Sequence, residues 1–210
     1  MKSDYQRRRT LLAILALLVA SLWPMPGLAG SREDALAAIK RGDYEAAITL
    51  LRPLAENGDV EAQVFLGNLF EFGYGEPVDF VEASRWYRRA AQAGNILAQA
   101  KLGRMLAGLS DNETFNTGLP RDYPEALDWL TRSAERSNSI AQTALGIMYY
   151  GGRGVPRDYV QARMWNILAM RAGNYEAGLT DQNFSMAMTP EQTAQAERLA
   201  QDWLIAHQQK

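Results

Sequence analysis

The chain of 210 residues contains no cysteine. That removes disulfide frameworks, cysteine nucleophiles, iron–sulfur clusters and thiolate zinc sites together. It has one histidine, His207, three residues from the C-terminus. A multi-histidine metal site cannot be built within one chain, and the end of a terminal helix frays too easily to hold a ligand in place. There is no surplus of positive charge either: 22 Lys and Arg stand against 24 Asp and Glu. Nucleic-acid binding needs clustered Lys and Arg, so that class is excluded. No G-x-x-x-x-G-K-S/T loop is present: Gly151-Gly152-Arg153-Gly154 lacks the Lys-Ser/Thr and joins two helical stretches. No G-x-S-x-G elbow occurs. The many Asp and Glu lie on amphipathic stretches, where charge marks a solvated face.

What is present begins with an address. Lys2, Arg7, Arg8 and Arg9 precede an apolar run from Leu11 to Trp23. Pro24 and Pro26 follow, then Gly27-Leu28-Ala29, with small residues placed for a cut after Ala29. That order describes a secretory signal peptide over residues 1–29. Thirteen apolar residues would span only about 20 Å as a helix, short of the ~30 Å hydrocarbon core. An uncleaved anchor is the other reading. No Cys stands at the cut, which rules out lipid attachment there. Cleavage removes four positive charges and one negative, taking the formal charge from −2 to −5. The expected product is periplasmic or secreted, free of the membrane once cleaved.

The remainder repeats itself. Leu66-Gly67, Leu102-Gly103 and Leu145-Gly146 are spaced 36 and 43 residues apart, while Trp86, Trp129 and Trp165 are spaced 43 and 36. Both series fit a 36-residue unit whose middle copy carries seven extra residues around Ser110 to Thr117. Asp43, Ala47, Leu50 and Gly58 lie 36 residues before Asp79, Ala83, Trp86 and Gly94, so an earlier copy exists. Units are expected at about 31–58, 62–95, 98–138 and 141–174, followed by a capping segment, 175–210.

Each unit reads as a helix, a Gly/Pro loop and a second helix. The second helices open on Asp43, Asp79, Asp122 and Asp158, N-caps whose carboxylates accept first-turn N–H groups. Glu82, Glu125 and Gln161 stand three residues on, the capping-box spacing. Gly58, Gly94 and Gly173 suit the left-handed turn after a helix; Ser137 occupies that place in the third unit. Gly67, Gly103 and Gly146 lie inside first helices and cost about 1 kcal/mol each relative to Ala. The expected return is close approach of the second helix, with Trp86, Trp129 and Trp165 as the nearby bulk. Pro53 should bend its helix. Thr189-Pro190-Glu191-Gln192 starts a last helix that turns Ala194, Leu199, Trp203 and Leu204 inward and caps the open end. The expected fold is an all-α, right-handed solenoid of about four helix-turn-helix repeats with a capping helix.

The stretch Ala141 to Trp165, with Leu145, Gly146, Met148, Tyr149, Gly152, Gly154, Val155, Asp158, Ala162 and Trp165 in place, resembles the Sel-one-like repeat family. These are longer-looped relatives of tetratricopeptide repeats. The resemblance implies a non-catalytic scaffold that binds a protein or peptide partner on an inner groove, with no cofactor and no metal. Its second implication is binding or hydrolysis of cell-wall fragments or β-lactams. That activity is ascribed to cysteine-rich exported relatives, whose disulfides this chain lacks. By analogy with tetratricopeptide geometry, the groove positions are Val64, Asn68, Glu71 and Phe72, then Arg104, then Thr143, Ile147 and Tyr150. Arg104 is the expected anchor for a partner carboxylate, separable from stability. The loop Ser110 to Thr117 is the other candidate surface.

Overall fold

The computed structural model describes residues 31–109 and 118–208. The signal segment and the Ser110 to Thr117 loop lie outside the described residues. Ten helices follow in order: α1 (Arg32–Arg41), α2 (Tyr44–Glu56), α3 (Val60–Phe72), α4 (Phe80–Gln92), α5 (Ile96–Leu106), α6 (Tyr123–Ala134), α7 (Ser139–Gly151), α8 (Tyr159–Arg171), α9 (Tyr175–Met186) and α10 (Pro190–Gln208). Among the described residues there is no strand. Consecutive helices pack pairwise from α1 to α9, so the chain is an α-solenoid in which most contacts are with the nearest neighbours. No helix among the described residues is long and apolar enough to cross a membrane.

Every second helix opens on the expected Asp. Asp43, Asp79, Asp122 and Asp158 accept from the backbone N–H groups of Ala46, Glu82, Glu125 and Gln161. The reciprocal half of the capping box is not made in these units. The N-cap N–H groups of Asp79, Asp122 and Asp158 donate instead to the carbonyls of Phe70, Leu106 and Tyr149, at the ends of the paired first helices. Each of these Asp residues therefore ties its hairpin together through its backbone N–H while its carboxylate caps its own helix. The Glu released by this arrangement turns sideways: Glu125 pairs with Arg88 of the preceding unit and accepts from Trp129 Nε1 at 3.0 Å. A full capping box forms at Thr189/Gln192, as the sequence indicates, and at Ser31/Asp34.

First helices carry a second repeat-wide device. Gln63, Gln99 and Gln142, all buried, donate from Nε2 to the carbonyls of Ala55, Ala91 and Ala134. Each thus adds a second donor to a carbonyl at the end of the previous second helix that already accepts from the backbone N–H of Gly58, Gly94 or Ser137. Asp59, Asn95, Asn138 and Asn174 cap the first helices in the same register.

Gly58, Gly94 and Gly173 take positive φ two residues beyond the last helical residues Glu56, Gln92 and Arg171, with open space where a Cβ would stand. Ser137 adopts the same turn at φ 62° and is the one non-glycine residue with positive φ among the described residues. Relieving it is expected to outweigh the extra freedom glycine gives the unfolded chain. Ser137→Gly should raise stability by about 0.5–1 kcal/mol, read from the midpoint of a denaturant melt at unchanged slope. Pro53 lies inside α2, which continues helical to Glu56.

The internal glycines do permit close approach, and at Gly67 and Gly103 the residue that exploits it is the one after the Trp, whereas at Gly146 it is the backbone of α8 and the Phe184 ring of α9. A Cβ on Gly67 would lie 2.6 Å from Tyr87 Cδ1 and nearer still to Cε1, one on Gly103 2.6 Å from Leu130 Cγ, and one on Gly146 3.0 Å from the Ala162 carbonyl, 3.4 Å from the Phe184 ring and 3.7 Å from the Asn166 backbone. The tryptophans are buried along the same helices, one residue earlier: Trp86 is 5% exposed and Trp129 and Trp165 are 9% exposed.

The C-terminal segment contains a helix that the sequence pattern did not delimit, α9. Asn166, fully buried, donates from Nδ2 to the Ala177 carbonyl and accepts from Thr180 Oγ1, fixing α9 on α8. Arg163 pairs with Asp181 of α9 and Glu197 of α10. The last helix α10 buries Ala196 and Ala200 and packs Leu199, Trp203 and Leu204 against the core. It lies on α8, not on α9. Among the described residues the expected cap therefore covers the second-helix side of the stack, and Tyr175, Leu179 and Met186 of α9 stay exposed.

Candidate functional site

The eight groove residues fall on three first helices: Val64, Asn68, Glu71 and Phe72 on α3, Arg104 on α5, and Thr143, Ile147 and Tyr150 on α7. Their surroundings differ sharply. Val64 is buried and Thr143 has no exposed surface, its hydroxyl donating to the Ser139 carbonyl. Neither offers anything to a partner. Ile147 and Tyr150 are half-buried, and Tyr150 stacks on Phe184 of α9 with ring centroids 4.7 Å apart.

Arg104 is not a free anchor. Its side chain is 13% exposed, donates to Glu176 of α9 at 2.6 Å and donates to the Leu109 carbonyl at 2.8 Å. The pair bridges α5 to α9, passing over α7. The expectation that Arg104 could be removed without touching stability is therefore corrected. Arg104→Ala strands Glu176 and the end of α5, and should cost about 1–3 kcal/mol in a denaturant melt.

The α3 residues form a connected group. Gly67 lets the Tyr87 ring slide beneath α3, so that its hydroxyl, carried by a second helix, emerges among first-helix side chains. That hydroxyl donates to Glu71 Oε2 at 2.6 Å and lies 2.8 Å from Asn68 Oδ1. Lys101 of α5 donates to the same Glu71 oxygen at 2.7 Å, and its ammonium sits 5.0 Å from the Phe72 ring centre. Glu71 is 9% exposed, so its charge is held in a low-dielectric setting by one cation and one phenol. Leu130 and Asn166 occupy the place of Tyr87 in the later units, so this network belongs to one unit only.

Burial and the neighbouring Glu71 carboxylate push the Tyr87 phenol far above its ordinary value. The folded chain keeps this proton at pH values where the unfolded chain loses it. The stabilising effect is complete below about pH 10, the unfolded value, and falls above it by about 1.4 kcal/mol per pH unit. Tyr87→Phe should flatten the alkaline limb of stability against pH by that slope.

Phe72 alone among the eight is exposed, at 41%. Tyr74 lies beside it, ring centroids 6.0 Å apart, and stacks on Tyr44 at 4.8 Å. Val78 and Val81 continue the exposed apolar residues on this side of the Gly73 to Pro77 loop. Lys101, Tyr74, Val78 and Val81 were outside the sequence-based set. Two aromatics flanking Gly73 were the available signal.

The group holds a carboxylate, an ammonium and a phenol already bonded to one another, beside open apolar surface. Among the described residues no group of three or more His, Cys, Asp or Glu could hold a metal ion. His207 stacks on Trp203 at 3.8 Å. A cleft of about 180 Å³ between α8 and α10 is walled by Leu168, Trp203 and Leu204, and none of the eight residues lines it.

Comparison with known proteins agrees with this architecture. The Sel1 repeat matches residues 30–59, 60–95, 96–138 and 139–174. The chain is similar to the alginate biosynthesis protein AlgK of Pseudomonas putida, 38% identical over 114 residues, which is 53% of this chain and 23% of that protein. Among solved structures it is similar to a Sel1 repeat protein from Oxalobacter formigenes, with 26% identity and a TM-score of 0.60 over 73% of this chain and 60% of that one. A protective antigen of uropathogenic Escherichia coli described as displaying an SLR fold aligns at 24% identity and a TM-score of 0.40, over 83% of this chain and 53% of the antigen. The chain thus spans under a quarter of the curated relative and somewhat over half of each solved one. With four matches running through most of its length, the chain belongs to the Sel1 repeat family.

Proposed function

We propose that this chain is an exported, non-catalytic scaffold that holds a segment of a partner protein against α3 and α5. The contact centres on Phe72, with Tyr74 beside it and Asn68, Glu71 and Lys101 beneath. Four repeats followed by the segment 175–210 form the rigid support. The observation that carries this reading is Phe72. The other seven first-helix candidates are buried, half-buried or bonded within the chain, whereas Phe72 stays open beside Tyr74 and over an ammonium. Large open aromatics next to fixed polar groups are what partner segments use as anchors. Membership of the Sel1 repeat family, whose members typically mediate protein–protein contacts, supports the same reading.

A photo-crosslinking amino acid at Phe72, introduced in intact cells, is expected to capture one defined partner. The same group at Arg85, an exposed residue of α4, should not. Equal capture at both positions, or none at Phe72, overturns the site. Export is tested separately: the N-terminus of the accumulated protein should be at or near Gly30, and a full-length cytosolic chain would contradict it. A turnover assay with β-lactams and cell-wall fragments should show no product above the rate without protein.

A further inference from the structure

The cleft of about 180 Å³ between α8 and α10 lies where the end of α6, the start of α7 and the end of α8 meet. Leu168, Ala172, Trp203 and Leu204 give it apolar walls, and Ser137 and Gln142 add polar ones. Gln142 is 2% exposed. Its Nε2 is spent on the Ala134 carbonyl, while its buried Oε1 accepts from nothing. Gln63 and Gln99 leave the same oxygen bare, so this acceptor belongs to the repeat.

The open space beside it traces to two exchanges in the last unit. Arg89, Arg132 and Leu168 stand at equivalent places, three residues after Trp86, Trp129 and Trp165. The Arg89 and Arg132 guanidiniums lie 4.8 and 5.2 Å from the Trp86 and Trp129 ring centres. Ala93, Arg136 and Ala172 stand at a second set of equivalent places. Arg136 donates from Nη1 to the Gly94 carbonyl at 3.0 Å. Gly94 is the counterpart of Ser137, so a guanidinium of the third unit rests on the same turn that, one unit later, borders the cleft. The second unit keeps the first arginine and the third keeps both. The last has neither, because Leu168 and Ala172 replace them.

We infer that the cleft binds an arginine side chain of a partner segment, whose guanidinium takes the place that Arg136 fills one unit earlier. The Ser137 carbonyl, like that of Gly94, and Gln142 Oε1 are acceptors, and a guanidinium offers donors only. Its apolar stem packs along Leu168, Ala172 and Leu204, and Trp203 offers a ring to the cation. The C-termini of α6 and α8 end beside the cleft and bring partial negative charge, whereas the α7 N-terminus is already capped by Asn138. Arg171, exposed at the rim, donates to Gln201 Oε1. A cavity of about 150 Å³ holds one six-membered ring, so this cleft reads a single side chain. It does not involve Phe72 and stands whether or not the partner site proposed above is correct.

Titration of N-acetyl-arginine methylamide into the folded chain, followed by NMR, tests this. Saturable shifts in the low-millimolar range are expected, centred on the Trp203 indole and the Ser137 and Ala172 amides. The citrulline analogue has the same shape without the charge and should bind about tenfold more weakly. Ala172→Arg restores the arginine of the third unit at an exposed position. It should fill the cleft from within, abolish the shifts and leave the melting curve no lower. No saturation up to about 20 mM, shifts centred elsewhere, or equal binding of the citrulline analogue overturns the inference. So does an Ala172→Arg chain that folds and binds the probe as the wild type does.

Discussion

Trp129→Ala is expected to cost about 3–5 kcal/mol, the range for truncating a large buried aromatic. Trp129 is 9% exposed and lies midway along the stack, on α6. Its indole N–H donates to Glu125, which also pairs with Arg88 of α4, so the residue serves both its own hairpin and the junction between units. The Arg132 guanidinium lies 5.2 Å from its ring centre. Removing the ring opens a cavity, and the Glu125 carboxylate loses one donor. In a solenoid such a loss divides the stack, because each unit is supported chiefly by its neighbours. A denaturant melt should show a large fall in midpoint, and hydrogen exchange should accelerate in α5 to α8. A change below 1 kcal/mol would mean that Trp129 does not hold the junction.

Gly67→Ala is expected to be the second largest effect, against the direction helix propensity predicts. Propensity alone favours Ala by about 1 kcal/mol. The new Cβ would stand 2.6 Å from Tyr87 Cδ1 and nearer still to Cε1, and that ring cannot retreat without breaking its hydroxyl contacts with Glu71 and Asn68. Overpacking of this kind costs about 3 kcal/mol. Gly178→Ala in α9 is the control. Nothing lies within 4 Å of its Cβ position, so propensity should win and the chain should gain about 0.5–1 kcal/mol. Combining Gly67→Ala with Tyr87→Ala should remove most of the penalty, giving a coupling energy of about 2–4 kcal/mol. Additive effects would show that Gly67 and Tyr87 are not the contacting pair.

These expectations separate what was legible in the sequence from what was not. Repeat spacing, Asp N-caps and the glycine-to-Ser137 exchange are local signals, and each appears in the structure where the pattern placed it. The capping boxes formed only by half, because the N-cap N–H found a better acceptor on the paired helix. Which residue fills the space over each internal glycine depends on the rotation of the second helix. That rotation put Tyr87 and Leu130 over Gly67 and Gly103, and the Ala162 carbonyl with the Phe184 ring over Gly146, and moved the tryptophans aside. The groove positions were least legible. An analogy with an open superhelix exposes them, but here α9 supplies Phe184 to Tyr150 and Glu176 to Arg104 from 34 and 72 residues away. Contacts over such distances leave no mark in the spacing of one repeat, and α9 itself lacks the Leu-Gly signature.

The central claim is recognition of a partner segment through Phe72. Calorimetric titration of the partner segment captured at Phe72 into the wild-type chain and into Phe72→Ala measures it most directly. The account predicts saturable binding to the wild type, affinity weakened about 10- to 100-fold in the variant, equivalent to roughly 1–3 kcal/mol, and unchanged melting curves. Equal affinity for the two chains would contradict it.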